Sequence, residues 1–362
     1  KALEINPGDA RTLCNQGIVL KELKRFDEAL VSYAQAILVN PSYADAFNNQ
    51  GIVLQELKRF DEALASYDQA IAIEPKFAQA YYNRGIVLQE LKRFDEALAS
   101  YDLAISINPN FVNAYNNKGV ILKSLKRFDE ALSIYNQAIS IKPDHPKTYY
   151  NQGKTLQELN RHDEALACYD QAIKIDPNYL EAYNNRGNTL QAIKQFDRAL
   201  VNYNHAIAIH PDYADAYFNK STLLILRGDY KEGWQLYEWR WKQKHNINSR
   251  RSYKQALWLG NESLINKTLL ITMEQGFGDY IQFIRYALLA EQSGAKVILE
   301  APLLLMKLTA TLKGHFILIE SGKSLPDFDY YCPVVSLPLA FKTSVETIPA
   351  PLSYLYVDEA KK

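Results

Sequence analysis

The stretch SYADAFNNQGIVLQELKRFDEALASYDQAIAIEP, residues 42–75, decides the fold, because its skeleton returns every 34 residues along the chain. Asn15, Asn49, Asn83, Asn117, Asn151, Asn185 and Asn219 keep that spacing. So do Gly17, Gly51, Gly85, Gly119, Gly153 and Gly187, and the prolines from Pro7 through Pro41, Pro75, Pro109, Pro143 and Pro177 to Pro211. A period of this length is one helix-turn-helix unit, stacked on its neighbours as a solenoid. Within residues 42–75, Leu54, Leu57, Phe60, Leu64, Tyr67 and Ile71 form an apolar stripe at helical spacing. They predict a first helix from Ala44 to Leu57 and a second from Phe60 to Ile73. Gly51, Ala63 and Ala70 are small where the two helices approach, and Pro75 ends the second helix, since proline cannot continue the backbone ladder.

Each period closely resembles the tetratricopeptide repeat, which implies an all-α solenoid coiled as a right-handed superhelix. Residues 1–7 match the end of a repeat and read as the remnant of a preceding one. Residues 8–211 make six repeats, 212–245 an atypical seventh with a capping helix, 246–268 a junction, and 269–362 a different domain. In the seventh, Ser221, Gly233, Arg240 and His245 replace the glycine, the two second-helix alanines and the proline. A last repeat lacks a following neighbour, yet Trp234, Tyr237 and Trp241 line one face of its second helix, while Trp239 points elsewhere. The stripe predicts a helix buried on two sides, against the sixth repeat and against the following domain.

Bulk properties exclude several classes. The 362 residues carry 41 basic and 41 acidic side chains, and 48% are apolar, so the chain builds real cores without a basic face for nucleic acid or anionic membrane. Cys14, Cys168 and Cys332 are few and far apart, which argues against a disulfide framework and fits the reducing cytoplasm. No apolar run approaches the roughly 18–20 residues of a membrane span. No metal-ligand pattern and no cofactor motif of its own stands out.

The asparagine ladder is the feature that packing does not explain. Asparagine is roughly 0.6 kcal/mol worse than alanine in a helix. Its amide offers both a donor and an acceptor, which suits a peptide backbone whatever its side chains. Asn15, Asn49, Asn83, Asn117, Asn151, Asn185 and Asn219 are therefore candidate residues for gripping an extended polypeptide along the concave wall. Gln55, Gln89, Gln157 and Gln191, one turn further along, are expected to share that wall. The competing reading has the same amides tie neighbouring helices together. An asparagine ladder ahead of a sugar-transfer domain resembles the protein O-GlcNAc transferases, which implies a protein acceptor.

Beyond residue 252 the period changes to alternating strands and helices, which indicates a Rossmann-like parallel sheet. Strands are expected at 269–273, 296–300, 316–319 and 330–337, with helices at 280–292 and 303–312. Gln275, Gly276 and Gly278 form a tight glycine turn between the first strand and its helix. The dinucleotide fingerprint would want a third glycine where Ile281 stands, although Glu300 sits where a ribose is held in that class. The longer run from Glu274 to Tyr286, with Tyr237-Glu238-Trp239-Arg240-Trp241 before it and Pro326-Asp327-Phe328-Asp329, Cys332-Pro333 and Ser336-Leu337-Pro338 after it, is more specific. It is similar to bacterial tetratricopeptide–glycosyltransferase fusions related to the ADP-heptose heptosyltransferases.

That resemblance implies one lobe of a GT-B fold, on the acceptor side, with Asp279 as the candidate general base. The competing role for Asp279 is that of a helix cap, and Arg285 is expected as a surface charge or a phosphate contact. The nucleotide-sugar donor belongs to a second lobe, so the chain is expected to be inactive alone while its full-length parent transfers sugar. The alternative is a non-catalytic interaction scaffold carrying a relic α/β lobe.

Overall fold

The computed structural model describes residues 9–244, 246, 251, 253–274, 276–349 and 354–356. The remnant at 1–7 and Gln275 of the glycine turn lie outside the described residues. Compactness divides the chain after Asn185, inside the sixth repeat.

In the N-terminal unit, helices alternate as the repeat demands: Ala10–Glu22 and Phe26–Val39, Ala44–Glu56 and Phe60–Ile73, Ala78–Glu90 and Phe94–Ile107, Val112–Ser124 and Phe128–Ile141, Pro146–Glu158 and His162–Ile175. The helix Leu180–Ala192 opens the sixth repeat. The turn inside each pair is a Schellman motif. Lys58 N–H donates to the Gln55 carbonyl and Arg59 N–H to the Leu54 carbonyl, at 2.9 and 2.8 Å. Lysine, not glycine, takes the left-handed position in most pairs, as Lys58 does with φ 58°.

The glycine of each repeat has a purpose beyond bringing two helices close. A Cβ built on Gly17, Gly51, Gly85, Gly119 or Gly153 would lie 2.4 to 2.7 Å from the ring of a tyrosine sixteen residues later. Tyr33, Tyr67, Tyr101, Tyr135 and Tyr169 are fully buried there. Burial pushes their phenols well above the usual tyrosine value, so they stay neutral donors. Tyr67, Tyr101 and Tyr169 donate to the side-chain carbonyls of Gln55, Gln89 and Gln157 at 3.1, 3.1 and 2.9 Å. These glutamines are therefore tied to the core of their own repeats as well as bordering the wall. Lys21 stands in the corresponding place before Tyr33, whose hydroxyl has no hydrogen-bond partner among the described residues.

Along this unit the first helix of each repeat touches the first helix of the next, more closely than the second helices touch one another. Neighbours crowd on the inside of a curve, which makes the first helices the candidate inner wall.

The C-terminal unit begins with Phe196–Ile209 and Ala214–Arg227, followed by the short helix Tyr230–Tyr237 and a 3₁₀ turn over Glu238–Lys242. Five parallel strands then form one sheet: β1 Ala256–Leu257, β2 Thr268–Thr272, β3 Lys296–Ala301, β4 Phe316–Glu320 and β5 Tyr330–Pro333, in the order β1-β5-β2-β3-β4. From β2 the chain steps outward through β3 to β4, then crosses back to place β5 on the other side of β2. The edge strand β1 lies within the stretch read as a junction; two residues carry too little pattern to be seen.

Two expected helices differ from their sequence reading. The first starts earlier and is interrupted: Phe277–Phe283, a 3₁₀ turn, then Ala287–Gln292. The second reduces to a 3₁₀ turn and Met306–Thr309, where the Thr309 and Thr311 hydroxyls donate back to the Leu305 and Leu308 carbonyls and compete with the helix ladder. Trp234 is buried in the sheet's own core, edge-on to Phe283 with centroids 5.7 Å apart, so the last repeat and the sheet share one interior.

Two stability measurements test the repeat core. Gly85→Ala is expected to lose about 1–3 kcal/mol by overpacking against Tyr101. Lys21→Gln is expected to gain about 1 kcal/mol by giving the Tyr33 hydroxyl an acceptor. Urea titrations showing no loss in the first, or a loss in the second, would contradict the tyrosine-glycine account.

Candidate functional site

Two places gather the residues singled out by sequence. The ladder is the first. Asn83 Nδ2 donates to Asn48 Oδ1 at 2.9 Å, Asn117 to the Tyr82 hydroxyl at 3.2 Å, Asn151 to Asn116 Oδ1 at 3.4 Å and Asn185 to the Tyr150 hydroxyl at 2.9 Å. Asn49 reaches Cys14 Sγ at 3.5 Å. Every one of these partners lies 35 residues earlier, on the first helix of the preceding repeat. The amide donors thus latch neighbouring repeats together, the alternative role that the sequence left open. Asn83 and Asn151 are buried, Asn49, Asn117, Asn185 and Asn219 are half-buried, and Asn15 is exposed. Asn83 Oδ1 is also taken, accepting from Gln79 at 2.8 Å.

The signal for this latch lies one residue before each ladder position. Cys14, Asn48, Tyr82, Asn116 and Tyr150 are the acceptors, and from Asn48 onward they alternate between amide and phenol. The aromatic ones are themselves braced, Tyr82 against Phe111 at 4.8 Å and Tyr150 against Tyr179 at 5.2 Å between centroids.

The second place is a cavity of about 410 Å³ in the C-terminal unit, at the carboxyl ends of β2 and β5. Ligands of open α/β sheets bind where the strand order reverses, and β2 and β5 flank that point. Thr272, Met273 and Glu274 continue β2 into the cavity wall, Tyr331 and Pro333 end β5, and Phe218, Tyr237 and Trp241 close it from the last repeat.

Asp279 reaches this cavity from the first turn of Phe277–Phe283. It is not the cap of that helix: Gly276 is, with φ 88°, and Asp279 follows three residues later. Its carboxylate is exposed and has no cationic partner among the described residues. Of the two glycines, only Gly276 needs to be one. Gly278 has helical backbone and open space where a side chain would project.

Arg240 organises the floor. Its guanidinium forks onto Glu274 with two bonds of 2.9 Å, reaches Glu238 at 2.6 Å and donates to Ser336 Oγ at 2.8 Å. Burial works against its charge, and the two carboxylates outweigh that and hold it above the usual arginine value. Burial also pushes Glu274 up, with Arg240 restraining the rise. The substitution that breaks the repeat pattern at 240 is therefore the tie between the last repeat and the loop after β2. Glu300, next to last in β3, is almost fully buried, and Arg251 engages one of its carboxylate oxygens. Arg285 is half-buried and donates to the Gln282 carbonyl at 2.7 Å and to the Pro349 carbonyl and the Tyr354 hydroxyl, both at 3.1 Å. Among the described residues no cluster could hold a metal ion, the three cysteines are free, and no helix is long and apolar enough to cross a membrane.

Two substitutions check these assignments. Asn83→Ala should destabilise by about 1–2 kcal/mol, because the buried Asn48 carbonyl loses its donor; an unchanged melting temperature would deny the latch. Arg240→Ala should cost about 3–5 kcal/mol near neutral pH by stranding two carboxylates. In that variant the folded pKa of Glu274 lies above its unfolded value, so the folded state binds the extra proton and the deficit shrinks as pH falls. A deficit that grows on acidification would contradict the cluster.

Models of the tetratricopeptide repeat match residues 10–43, 78–111, 110–178, 168–201 and 202–235, and a TPR-repeat model matches 53–92. No curated protein matches the chain. Among solved structures, a tetratricopeptide repeat protein from Parabacteroides merdae is 16% identical with a TM-score of 0.55, over 66% of this chain and 94% of its own. Pseudomonas aeruginosa pilF is 18% identical with a TM-score of 0.51, over 57% of this chain and 94% of its own. YrrB, described as a TPR protein with an unusual peptide-binding site, is 28% identical with a TM-score of 0.42, over 50% and 94%. Residues 10–235 are thus an array of tetratricopeptide repeats, and the chain is a tetratricopeptide-repeat protein.

Proposed function

We propose that the repeat array holds an extended polypeptide on its inner wall and that the C-terminal unit is the Rossmann-like, acceptor-side lobe of a GT-B glycosyltransferase. The observation that carries the chemical part is Asp279: an exposed carboxylate with no ion-pair partner among the described residues, on a cavity where the strand order of a parallel sheet reverses. In this reading its carboxylate takes the proton of an acceptor hydroxyl as that oxygen attacks the anomeric carbon, while the nucleotide leaves with the electron pair of the old glycosidic bond. Tyr237 beside it stays protonated, since burial raises its phenol, Arg240 opposes the rise and the Asp279 charge adds to it.

The polypeptide part rests on the shape and neutrality of the wall. First-helix positions such as Gln79, Asn113 and Asn117 are polar and at least partly exposed, and amides meet main-chain groups without demanding a sequence. Because the rungs already bond to their neighbours, affinity per repeat is modest and accumulates over several.

A second reading, a non-catalytic interaction scaffold, is favoured by one fact. Among the described residues, the two guanidiniums lining the cavity are engaged by carboxylates, Arg240 by Glu238 and Glu274 and Arg251 by Glu300, so none of the described lining residues offers a spare cation for a diphosphate. The transferase reading meets this by placing the donor on another lobe.

The deciding experiment is a sugar-transfer assay on the full-length protein carrying Asp279→Asn. Loss of about 100-fold or more in rate with an unchanged melting temperature supports the base; full turnover would remove it.

A further inference from the structure

The cavity at the carboxyl ends of β2 and β5 is short of positive charge. Arg240 and Arg251 are the cations of its described lining. Against them stand Glu274 and Asp279 in the same lining, and Glu238, Glu300 and Asp215 bonded to it. Arg240 is shared between Glu238 and Glu274, so that group of three keeps a negative charge. Arg251 engages one oxygen of Glu300, and the other, Oε2, has no hydrogen-bond partner among the described residues although the residue is only 1% exposed. Asp215 accepts from the neutral Gln243 amide at 2.8 Å. A proton on Glu274, which its burial favours, would still leave Asp215 and Asp279 without an ion pair among the described residues. Burial, opposed by Arg240, raises the Tyr237 phenol, and the charges of Asp279, Glu274 and Glu238 add to that rise, so three carboxylates gather about one ring.

Much of the remaining lining is aromatic: Phe218, Tyr237, Trp241, Tyr253 and Tyr331. Ring faces carry partial negative charge and attract cations within about 6 Å. Two of these rings already do so, since the Arg240 guanidinium rests 5.0 Å from the centre of Tyr237 and 4.5 Å from that of Trp241. Carboxylates held close by the fold repel one another, a cost that an incoming cation removes and an incoming phosphate would increase. We infer that the cavity takes a lysine or arginine side chain of the acceptor polypeptide, with Asp279 as its counter-ion. This inference rests on the reading of the cavity as the acceptor side and adds the class of acceptor: a hydroxyl borne beside a basic residue. The cavity of about 410 Å³ is at the small end of ligand sites, which run from about 300 to 1,000 Å³, and suits one long side chain with its neighbour.

Fluorescence anisotropy on the full-length protein tests this with short labelled Gly/Ser peptides capped at both ends, so that no terminal charge contributes. One carries a central arginine beside a serine, and its twin carries citrulline, which keeps the shape and lacks the charge. The arginine peptide should bind at least about fivefold tighter at low salt, and the advantage should vanish at high salt and in Asp279→Asn. The citrulline peptide should bind wild type and variant alike. Displacement by N-acetylarginine amide identifies the side chain alone as the captured group; displacement only by unlabelled arginine peptide identifies the side chain together with its flanking chain. Equal affinity for the two twins, or an arginine advantage retained in Asp279→Asn, overturns the inference. Failure of the underlying reading shows separately: sugar transfer that survives Asp279→Asn removes the acceptor assignment whatever the peptides do, whereas equal twins with transfer lost in that variant remove the cation alone.

Discussion

A tyrosine ring lying where a glycine leaves room for it sets the geometry of every repeat. The ring cannot enter if the glycine gains a Cβ, and the two helices cannot close if the ring is absent, so each hairpin is a single packed unit. Because a hairpin of this size buries too little on its own, stability is shared with the next one. The ladder amides supply part of that sharing: each crosses the seam to the first helix of the repeat before it. In the proposed function, first helices held at fixed spacing present evenly spaced polar groups, which suits an extended chain better than a folded one.

The C-terminal unit repeats the principle with charge instead of rings. Arg240 occupies a place where six repeats have alanine, and the resulting bulk is accommodated only because Glu274, Glu238 and Ser336 surround the guanidinium. The cluster fixes the 3₁₀ turn Glu238–Lys242 against the end of β2, and the cavity with Asp279 is the space left beside it. Stacking of Trp239 on Tyr217, at 3.9 Å between centroids, anchors the other side of the same turn. Buried ion pairs are weak evidence of stability, but they specify one arrangement. Here that arrangement is the mouth of the candidate site.

Repeat length, helix limits and the central strands are legible in the sequence because each depends on a period, and periods survive tertiary packing. The use of individual polar side chains is less legible. Asparagine at a groove position reads as a ligand contact, and only the residue one place before it, alternating between amide and phenol, reveals an acceptor already in place. Gln55, Gln89 and Gln157 read as lining when they also serve a buried phenol in the same hairpin. In the α/β unit the glycine turn was visible, but not which glycine needs its freedom. Asp279 belongs to the cavity for a topological reason, the crossing from β4 back to β5, which no local pattern announces.

The central claim is that polypeptide lies along the first helices. Photo-crosslinking tests it most directly: a benzophenone side chain placed at Gln79 or Asn113 on the inner wall, and at Ser106 near the end of a second helix, is irradiated with an unstructured peptide present. The account predicts adducts from the first two positions and none from the third. Adducts at Ser106 with none at Gln79 or Asn113 would contradict it.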